Sequence, residues 1–316
     1  MNPGFIINGS YGLILGKQFF NRMNQLKLPR IIIGAMRLGS WGAHLSKNDF
    51  NLFVNGCLDM GLTAFDHADI YGDYTSEAQF GELLKENSSL RSQLHLITKC
   101  GIKMMAENRP DHHIKSYDSS ANHIISSVET SLKNLSTDYI DVLLIHRPDY
   151  LMEPDEIAKS FTELQNQGKV LHFGVSNFTP SQFELLNASF ELVTNQVEIS
   201  LLKRDALDDG TLDQCMRYGI QPMAWSPLKG GAMFTEMADP GVIRVTKVGD
   251  ALCEKYNCEL DTLLYAWLLR HPAHILPVTG SSKLERIVAA KKALDITMDR
   301  EDWYRLLEAA AGNEVA

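Results

Sequence analysis

The sequence predicts an α/β protein that folds as a closed (β/α)8 barrel, the TIM-barrel architecture, in a single domain. Three observations support this fold class. Eight short apolar runs alternate with helical patterns along the 316 residues. Runs such as VLLIH are apolar without alternation, as strands buried on both faces are. Helices of about a dozen residues between strands imply parallel pairing through right-handed crossovers, and eight such units can close a barrel.

The elements follow in chain order from these patterns. The apolar runs predict strands at Ile31–Ala35, Leu62–Asp66, Leu94–Lys99, Ile140–His146, Val170–Ser176, Leu192–Gln196, Gln221–Trp225 and Ile275–Val278. The intervening patterns predict helices at Asn48–Met60, Thr75–Lys85, Ala121–Leu135, Pro154–Gln167, Pro180–Leu186, Gly210–Tyr218 and Leu284–Leu294, with one or two more in Val242–Leu269 divided around Asn257–Cys258. A doubly wound sheet is the competing architecture, but no G-x-G-x-x-G follows the first strand.

Two segments stand apart from this alternation. We expect residues 1–29 to be an N-terminal extension and residues 30–316 to be the barrel. The extension has no basic start, and Asn8, Gly9 and Ser10 interrupt its apolar run, which argues against a signal peptide; Met23 is an alternative start. The polar connection Gly101–Ser120 is long for a compact domain, where such loops are usually functional or disordered.

Composition limits the partners and the compartment. The formal net charge of −9 argues against a general nucleic-acid surface. No run approaches the roughly 18 apolar residues of a membrane span. The five cysteines include no C-x-x-C pair, so we do not expect a disulfide framework. We expect instead a reducing, cytoplasmic location. We therefore expect a small-molecule substrate and neither a nucleic-acid nor a membrane partner.

Polar residues collect where the predicted strands end. Seven of the eight runs finish with a residue able to bind or react, namely Asp66, Lys99, His146, Ser176–Asn177, Gln196, Trp225–Ser226 and Gly280–Ser281. In a (β/α)8 barrel these ends all face one mouth, where active sites lie. The sequence therefore predicts one site assembled from distant segments.

An acid/base chain is expected within this site. Tyr71 follows the strand that ends at Asp66, and a tyrosine pKa of about 10 is high for proton exchange at neutral pH. A neighbouring ammonium lowers that pKa, and Lys99 can supply it. Lys99 in turn needs an anionic partner if it is buried, and Asp66 is the candidate. His146 is suited to donate a hydrogen bond to a substrate oxygen or to carry a proton.

The motifs FDHADIYG, ITKC, LLIHRPD, HFGVSNF, NQVEIS, MAWSPLKGG and PVTGSSKLERI occur in an order that resembles the aldo-keto reductases. The resemblance covers about residues 30 to 312 and looks closest to the bacterial YdhF-type oxidoreductases. It implies a (β/α)8 barrel that binds NADP(H) without a Rossmann motif and reduces an aldehyde or ketone to an alcohol by hydride transfer. It also favours a monomer and requires no metal.

The resemblance also implies roles for individual residues. The catalytic set would be Asp66, Tyr71, Lys99 and His146, with Tyr71 as the general acid. The cofactor contacts it implies are Ser176, Asn177 and Gln196 on the nicotinamide carboxamide, Trp225 under the ring, Ser226, Pro227, Leu228 and Gly230 at the pyrophosphate, and Gly280, Ser281, Ser282, Lys283 and Arg286 around the adenosine 2′-phosphate.

The sequence departs from the family pattern at four positions. His67 stands where a small residue is commoner. Gly280 replaces a lysine often found just after the last strand, a role that Lys283 could take. Ala289 and Ala290 replace an acidic–Asn pair that contacts adenine in many relatives.

Other interpretations remain open at this point. Asp66, His67 and His146 could instead ligate a metal in a barrel hydrolase, and Asp111, His112 and His113 form a weaker metal candidate. A catalytically weak cofactor-binding barrel that acts through a protein partner is the alternative from another functional class. Met36, Trp41, Tyr117 and Trp225 are the expected apolar lining of a substrate pocket.

Overall fold

Parallel strands close into a barrel in the computed structural model, which describes residues 26–316. The strands in chain order are β1 (Ile32–Gly34), β2 (Ala64–Asp66), β3 (His95–Cys100), β4 (Ile102–Lys103), β5 (Ser116–Tyr117), β6 (Ile140–Ile145), β7 (Val170–Ser176), β8 (Asn195–Glu198), β9 (Met223–Trp225) and β10 (Leu276–Thr279). The order around the barrel is β1-β10-β9-β8-β7-β6-β3-β2, and β4 and β5 form a separate antiparallel pair. The predicted barrel is confirmed, and the doubly wound sheet is wrong.

Helices follow the barrel strands and surround them. They are α1 (Lys47–Asp59), α2 (Tyr71–Tyr74), α3 (Ser76–Glu86), α4 (Ala121–Leu135), α5 (Pro154–Asn166), α6 (Pro180–Asn187), α7 (Asp205–Asp208), α8 (Thr211–Tyr218), α9 (Ala232–Thr235), α10 (Pro240–Tyr256), α11 (Leu260–Leu269), α12 (Leu284–Lys292) and α13 (Arg300–Ala311). Capping side chains define where two of these helices begin: the Thr179 hydroxyl and Gln182 form a capping box at α6, and Asp239 caps α10. Asn257, at φ 48°, ends α10 before α11 begins, so the predicted division of this block is confirmed.

Three features differ from the sequence predictions. The strand predicted at Leu192–Gln196 lies later, at Asn195–Glu198. Leu192 is buried beneath the helices, and the run leads directly into the strand, because the Val193 amide already donates to the Phe173 carbonyl of β7 at 2.8 Å and the Thr194 carbonyl accepts from the Val175 amide at 3.1 Å. The connection Gly101–Ser120 contains the β4–β5 hairpin, and the helices α7, α9 and α13 were not predicted. Tyr71 follows β2 as expected and opens the four-residue turn α2, in which Gly72 and Asp73 have left-handed backbone angles.

The barrel interior is filled by side chains from alternate strand positions. Its buried cluster comprises Ile32, Ala64, Ile97, Val142, Leu144, Met223, Leu276 and Val278. Leu26 and Leu28 pack against this cluster. Such filling leaves the strand ends as the place where polar groups can gather.

The predicted extension falls mostly outside the described residues, because positions 1–25, including Met23, are not described. The domain boundary at residue 30 stays a prediction. Within residues 26–316, no helix is both long and apolar enough to cross a membrane.

Candidate active site

Lys99 is the centre of the candidate active site. Its side chain is fully buried, and its ammonium donates to Asp66 Oδ2 at 2.7 Å, to the His67 carbonyl at 2.8 Å and to the Tyr71 hydroxyl at 3.2 Å. All three ammonium hydrogens are therefore used. Burial alone would lower the pKa of Lys99, but Asp66 and the hydrogen bonds raise it above its ordinary value. The group is held charged beside the phenol.

Tyr71 differs from the expectation in the direction of its pKa. Burial is the largest influence and raises the pKa, and the charge of Asp66 adds to it. Lys99 opposes this increase, as expected, but it does not outweigh burial, so the net pKa of Tyr71 lies above its ordinary value. The sequence-based argument considered the ammonium and left out desolvation. A phenol with a raised pKa keeps its proton at neutral pH.

His146 lies beside Tyr71 at the end of β6. The two rings meet edge to face, with centroids 5.9 Å apart, and the His146 amide bonds the Cys100 carbonyl at 2.8 Å. Burial drives the pKa of His146 well below its ordinary value, and the positive charges of Lys99, Arg147 and Lys115 act in the same direction. The imidazole is therefore neutral at pH 7, and its buried Nδ1 has no hydrogen-bond partner in the described part of the chain.

A hydrogen-bonded chain links this group to β7, β8 and β9, with Gln196 as the second residue of β8 and not, as predicted, the last residue of its strand. Gln196 Nε2 donates to Asp66 Oδ1 at 2.9 Å. The Ser176 hydroxyl donates to the Gln196 carbonyl at 2.8 Å and accepts from Asn177 Nδ2 at 2.8 Å. Trp225 Nε1 donates to Asn177 Oδ1 at 2.9 Å. The sequence predicted these residues as separate ligand contacts, whereas here their polar groups also hold one another in place.

Two of the strand ends carry a left-handed backbone. Asn177 follows β7 at φ 61°, and Ser226 follows β9 at φ 49°. Asparagine tolerates this conformation, but for serine it costs energy that the surrounding structure must offset. Strained residues of this kind are commonest at functional sites. Both lie at the barrel mouth.

These residues line one long cavity of about 1620 Å³. Individual ligand pockets usually measure about 300–1,000 Å³, so this cavity has room for two molecules. Eleven of the predicted cofactor contacts line it: Ser176, Asn177, Gln196, Trp225, Ser226, Pro227, Leu228, Gly230, Gly280, Ser281 and Arg286. Ser282 and Lys283 do not, and contact with a cofactor stays a prediction for all thirteen residues. Lys283 is the residue before α12, where no side chain caps the helix.

The other end of the cavity, called the substrate end below, is lined by residues of which the sequence predicted only some. Met36, Trp41 and Tyr117 line it as expected. The β4–β5 hairpin contributes Ile102 and Met104, which pack near the Trp41 ring, 6.1 Å from Tyr71.

Three cations on this wall, Arg37, Lys115 and Arg147, were missed. Arg147 directly follows His146 in LLIHRPD, so its position in the motif was an available signal.

The metal interpretations are not supported by the geometry. The Asp66 carboxylate is occupied by Lys99 and Gln196, and the buried His67 ring packs edge-on against Phe80 at 4.6 Å. His112 bonds the Met104 carbonyl at 2.9 Å and so helps to hold the hairpin. Residues 26–316 contain no cluster of three or more His, Cys, Asp or Glu side chains suited to a metal ion.

Comparison with known proteins agrees with this geometry. Residues 30–311 match the model of the aldo/keto reductase family. The chain is 45% identical to the uncharacterized oxidoreductase YcsN of Bacillus subtilis over 92% of its length and 97% of that protein. It is also 45% identical to the oxidoreductase YdhF of Escherichia coli, over 92% of its length and 96% of that protein.

Two further matches extend the comparison. A 6-dehydroglucose reductase of Agrobacterium fabrum is 42% identical over 93% of this chain and 98% of that protein. An aldo/keto reductase of Klebsiella pneumoniae, crystallised in complex with NADP and acetate, superposes with a TM-score of 0.73. That superposition covers 89% of this chain and 91% of the other at 24% identity, and therefore supports the fold alone.

Proposed function

The chain belongs to the aldo/keto reductase family of oxidoreductases, and from this premise we propose that it reduces a small aldehyde or ketone to the alcohol with NADPH. One observation carries the proposal: a buried Asp66–Lys99–Tyr71 group lies beside a neutral His146, and Asp66, Tyr71 and His146 line the long cavity. We further propose the thirteen residues predicted from the motifs as the cofactor contacts.

The cavity fits a nicotinamide dinucleotide. A Cβ added to Gly280 would meet no atom within 4 Å, so the backbone there is open to a ligand that approaches closely. Gly230 is equally open and has φ +65°. The uncapped start of α12 offers unpaired N–H groups and a positive dipole end to a phosphate, with Arg286 beside it on the cavity wall. The aldo/keto reductase from Klebsiella pneumoniae, which shares this fold, was crystallised in complex with NADP.

Tyr71 is the proposed proton donor. When bound, the reduced nicotinamide supplies a hydride to the carbonyl carbon; the oxygen then needs a proton as negative charge develops on it. The raised pKa of Tyr71 keeps the phenol protonated at neutral pH, which is the form that a general acid requires. Lys99, 3.2 Å from the hydroxyl, stabilises the phenolate that remains after transfer.

His146 and Asp66 have positioning roles in this proposal. The neutral imidazole can donate one N–H to the substrate oxygen without competing as an acid. Asp66 holds the Lys99 ammonium from one side and receives Gln196 from the other, which fixes the orientation of both. Groups fixed in this way need little reorganisation when charge develops.

The alternative, a catalytically weak barrel acting through a protein partner, is not favoured. The buried lysine, the phenol and the neutral histidine lie together in the structure, as the proposed reduction requires. A monomer remains our proposal for the oligomeric state.

Cofactor oxidation tests the proposed function directly. The purified chain is mixed with NADPH and 4-nitrobenzaldehyde, an activated aldehyde, and the loss of NADPH absorbance is followed while the alcohol is quantified by chromatography. We expect one alcohol formed per NADPH consumed. A chain that binds NADPH but consumes none with this or other activated aldehydes and ketones would overturn the proposal and favour the partner-acting alternative.

A further inference from the structure

The substrate end of the cavity is lined by three cations, Arg37, Lys115 and Arg147. Arg37 lies on the loop after β1, Lys115 precedes β5, and Arg147 follows β6. None of the three has an ion-pair partner within the described chain. Neighbouring cations are engaged: Lys103 of β4 pairs with Asp118, and Arg109 lies over the Tyr74 ring.

Arg147 has the most constrained position of the three. It is half-buried, and its guanidinium carbon lies 5.8 Å from the centre of the Trp225 ring. Arg147 and Lys115 both lie close enough to His146 for their charges to oppose protonation of its ring. Both cations line the same cavity as Tyr71 and His146, the residues that the substrate carbonyl would meet.

Carboxylates are distributed differently along the cavity. At the substrate end the lining carboxylate is Asp66, which Lys99 already neutralises. The other acidic lining residues, Glu254, Glu259, Asp261, Glu285 and Asp295, all lie toward the far end, on or next to α10, α11 and α12. The substrate end therefore carries a net positive charge within a chain whose formal net charge is −9.

We propose that this end recognises an oxyanion carried by the substrate, so that the preferred carbonyl compound bears a carboxylate or a phosphate group. The inference rests on the proposed function for the carbonyl and adds the class of substrate. A guanidinium can bind two oxygens of either group at once, so Arg147 is the main contact, and Lys115 and Arg37 act as point charges around it. The apolar walls from Trp41, Met104 and Tyr117 hold the carbon skeleton between the anion and the carbonyl.

Three aldehydes with the same ring test this preference. They are 4-carboxybenzaldehyde, 4-formylphenyl phosphate and methyl 4-formylbenzoate. The neutral ester withdraws electrons more strongly than the carboxylate does, so its carbonyl is intrinsically the more reactive. We expect wild type nevertheless to show a kcat/KM at least about tenfold higher for one of the anions, the size expected for one charged hydrogen bond. The two anions separate a carboxylate site from a phosphate site.

Substitutions assign the preference to residues. Arg147→Met should lower the ratio of kcat/KM for the preferred anion to kcat/KM for the ester by about 10- to 150-fold. Arg147→Lys should retain part of the preference, because the charge remains and the two-pronged contact is lost. Lys115→Met and Arg37→Met should have smaller effects in the same direction. Lys159→Met makes an equal charge change on the exposed face of α5 and should leave kcat/KM unchanged for both substrates.

A binding measurement keeps this inference separate from the proposed function. Calorimetry with the NADP⁺-loaded protein compares 4-(hydroxymethyl)benzoate, 4-(hydroxymethyl)phenyl phosphate and methyl 4-(hydroxymethyl)benzoate, and needs no turnover. Tighter binding of an anion that Arg147→Met abolishes supports the inference even if no aldehyde is reduced. Turnover of the ester without anion preference, or a preference that Arg147→Met leaves intact, overturns the inference and leaves the reductase function standing.

Discussion

The two ends of the long cavity are built in different ways. The catalytic end is the substrate end described above, named here for the proposed catalytic residues. There, Lys99 is completely buried, and its ammonium is fully hydrogen-bonded to groups fixed by strand ends. At the far end, Gly280 faces open space and the start of α12 has no capping side chain. The polar groups of the first end satisfy one another, whereas the second end offers groups with which a ligand can bond. Substitutions at the first end should therefore affect chemistry and folding, and those at the second should affect cofactor affinity.

Lys99→Met should have the largest effect at the catalytic end. It leaves the Asp66 carboxylate buried without its partner, and breaking a buried pair in this way typically costs about 3–5 kcal/mol of unfolding free energy. Turnover should fall below detection because the phenolate loses its stabilising charge. Urea unfolding and steady-state kinetics measure the two effects. The Asp66→Asn/Lys99→Met double variant should regain most of the stability but none of the turnover; recovery of turnover would refute the role given to Lys99.

Arg286→Ala should show the contrasting behaviour of the far end. A hydrogen bond to a charged group is worth about 1.5–3 kcal/mol, so the NADPH dissociation constant should rise by about 10- to 150-fold. NADH affinity should barely change, because NADH lacks the 2′-phosphate, and the free energy of unfolding should stay constant. Lys291→Ala, an exposed position later on the same helix, is the matched control. Equal losses for the two cofactors in fluorescence titrations would show that Arg286 does not contact the 2′-phosphate.

His67, next to Asp66, should make the free energy of unfolding depend on pH. Burial, with help from Lys99, lowers its pKa to about 3, and both ring nitrogens lack partners within residues 26–316. Between pH 6.5 and pH 3 the unfolded chain therefore binds a proton that the folded chain does not. Stability must fall with falling pH across this window, by up to about 1.4 kcal/mol per pH unit from this group.

His67→Leu tests that dependence against a histidine elsewhere. In urea unfolding, the variant should lose this part of the decrease in unfolding free energy between pH 6.5 and pH 3. It should also be at least as stable as wild type at pH 7, since it removes unsatisfied buried nitrogens. His113→Leu, at an exposed position of the Gly101–Ser120 segment, should leave the slope unchanged. An unaltered slope in His67→Leu would mean that the group takes up its proton without unfolding.

The smallest expected effect concerns the segments around the mouth. We expect Gly101–Ser120 and Leu228–Met237 to become more protected from hydrogen exchange when NADPH binds, because both follow strands at the ligand-bearing face. The strand β6 should show no change. Equal protection of Leu228–Met237 with and without NADPH would argue against cofactor-linked ordering.

The sequence predicted the catalytic end better than its surroundings, for a physical reason. Strand ends can be recognised from apolar runs, and a barrel brings them together whatever the intervening helices do. The positions predicted for Asp66, Lys99 and His146, at or next to strand ends, therefore agree with the structure. The β4–β5 hairpin was missed because strands of two residues each leave almost no periodic signal.

The effect of burial and the contacts between side chains could not be predicted from the sequence, for a related reason. Desolvation of Tyr71 depends on the packed surroundings and not on its motif, so its pKa was expected in the wrong direction. The contacts that Ser176, Asn177 and Gln196 make with one another depend on the register between β7 and β8, which no single motif contains.

The Tyr71→Phe variant provides the most direct test of the central claim, that the Tyr71 hydroxyl protonates the substrate oxygen. Phenylalanine keeps the ring and removes only the hydroxyl. Single-turnover mixing of the NADPH-loaded variant with an activated aldehyde should show a rate about 10²–10⁴-fold below wild type, while the NADPH dissociation constant changes by less than about tenfold. Tyr139→Phe, away from the cavity, should keep the wild-type rate. A Tyr71→Phe variant that reduces the aldehyde at a near-normal rate would contradict the claim.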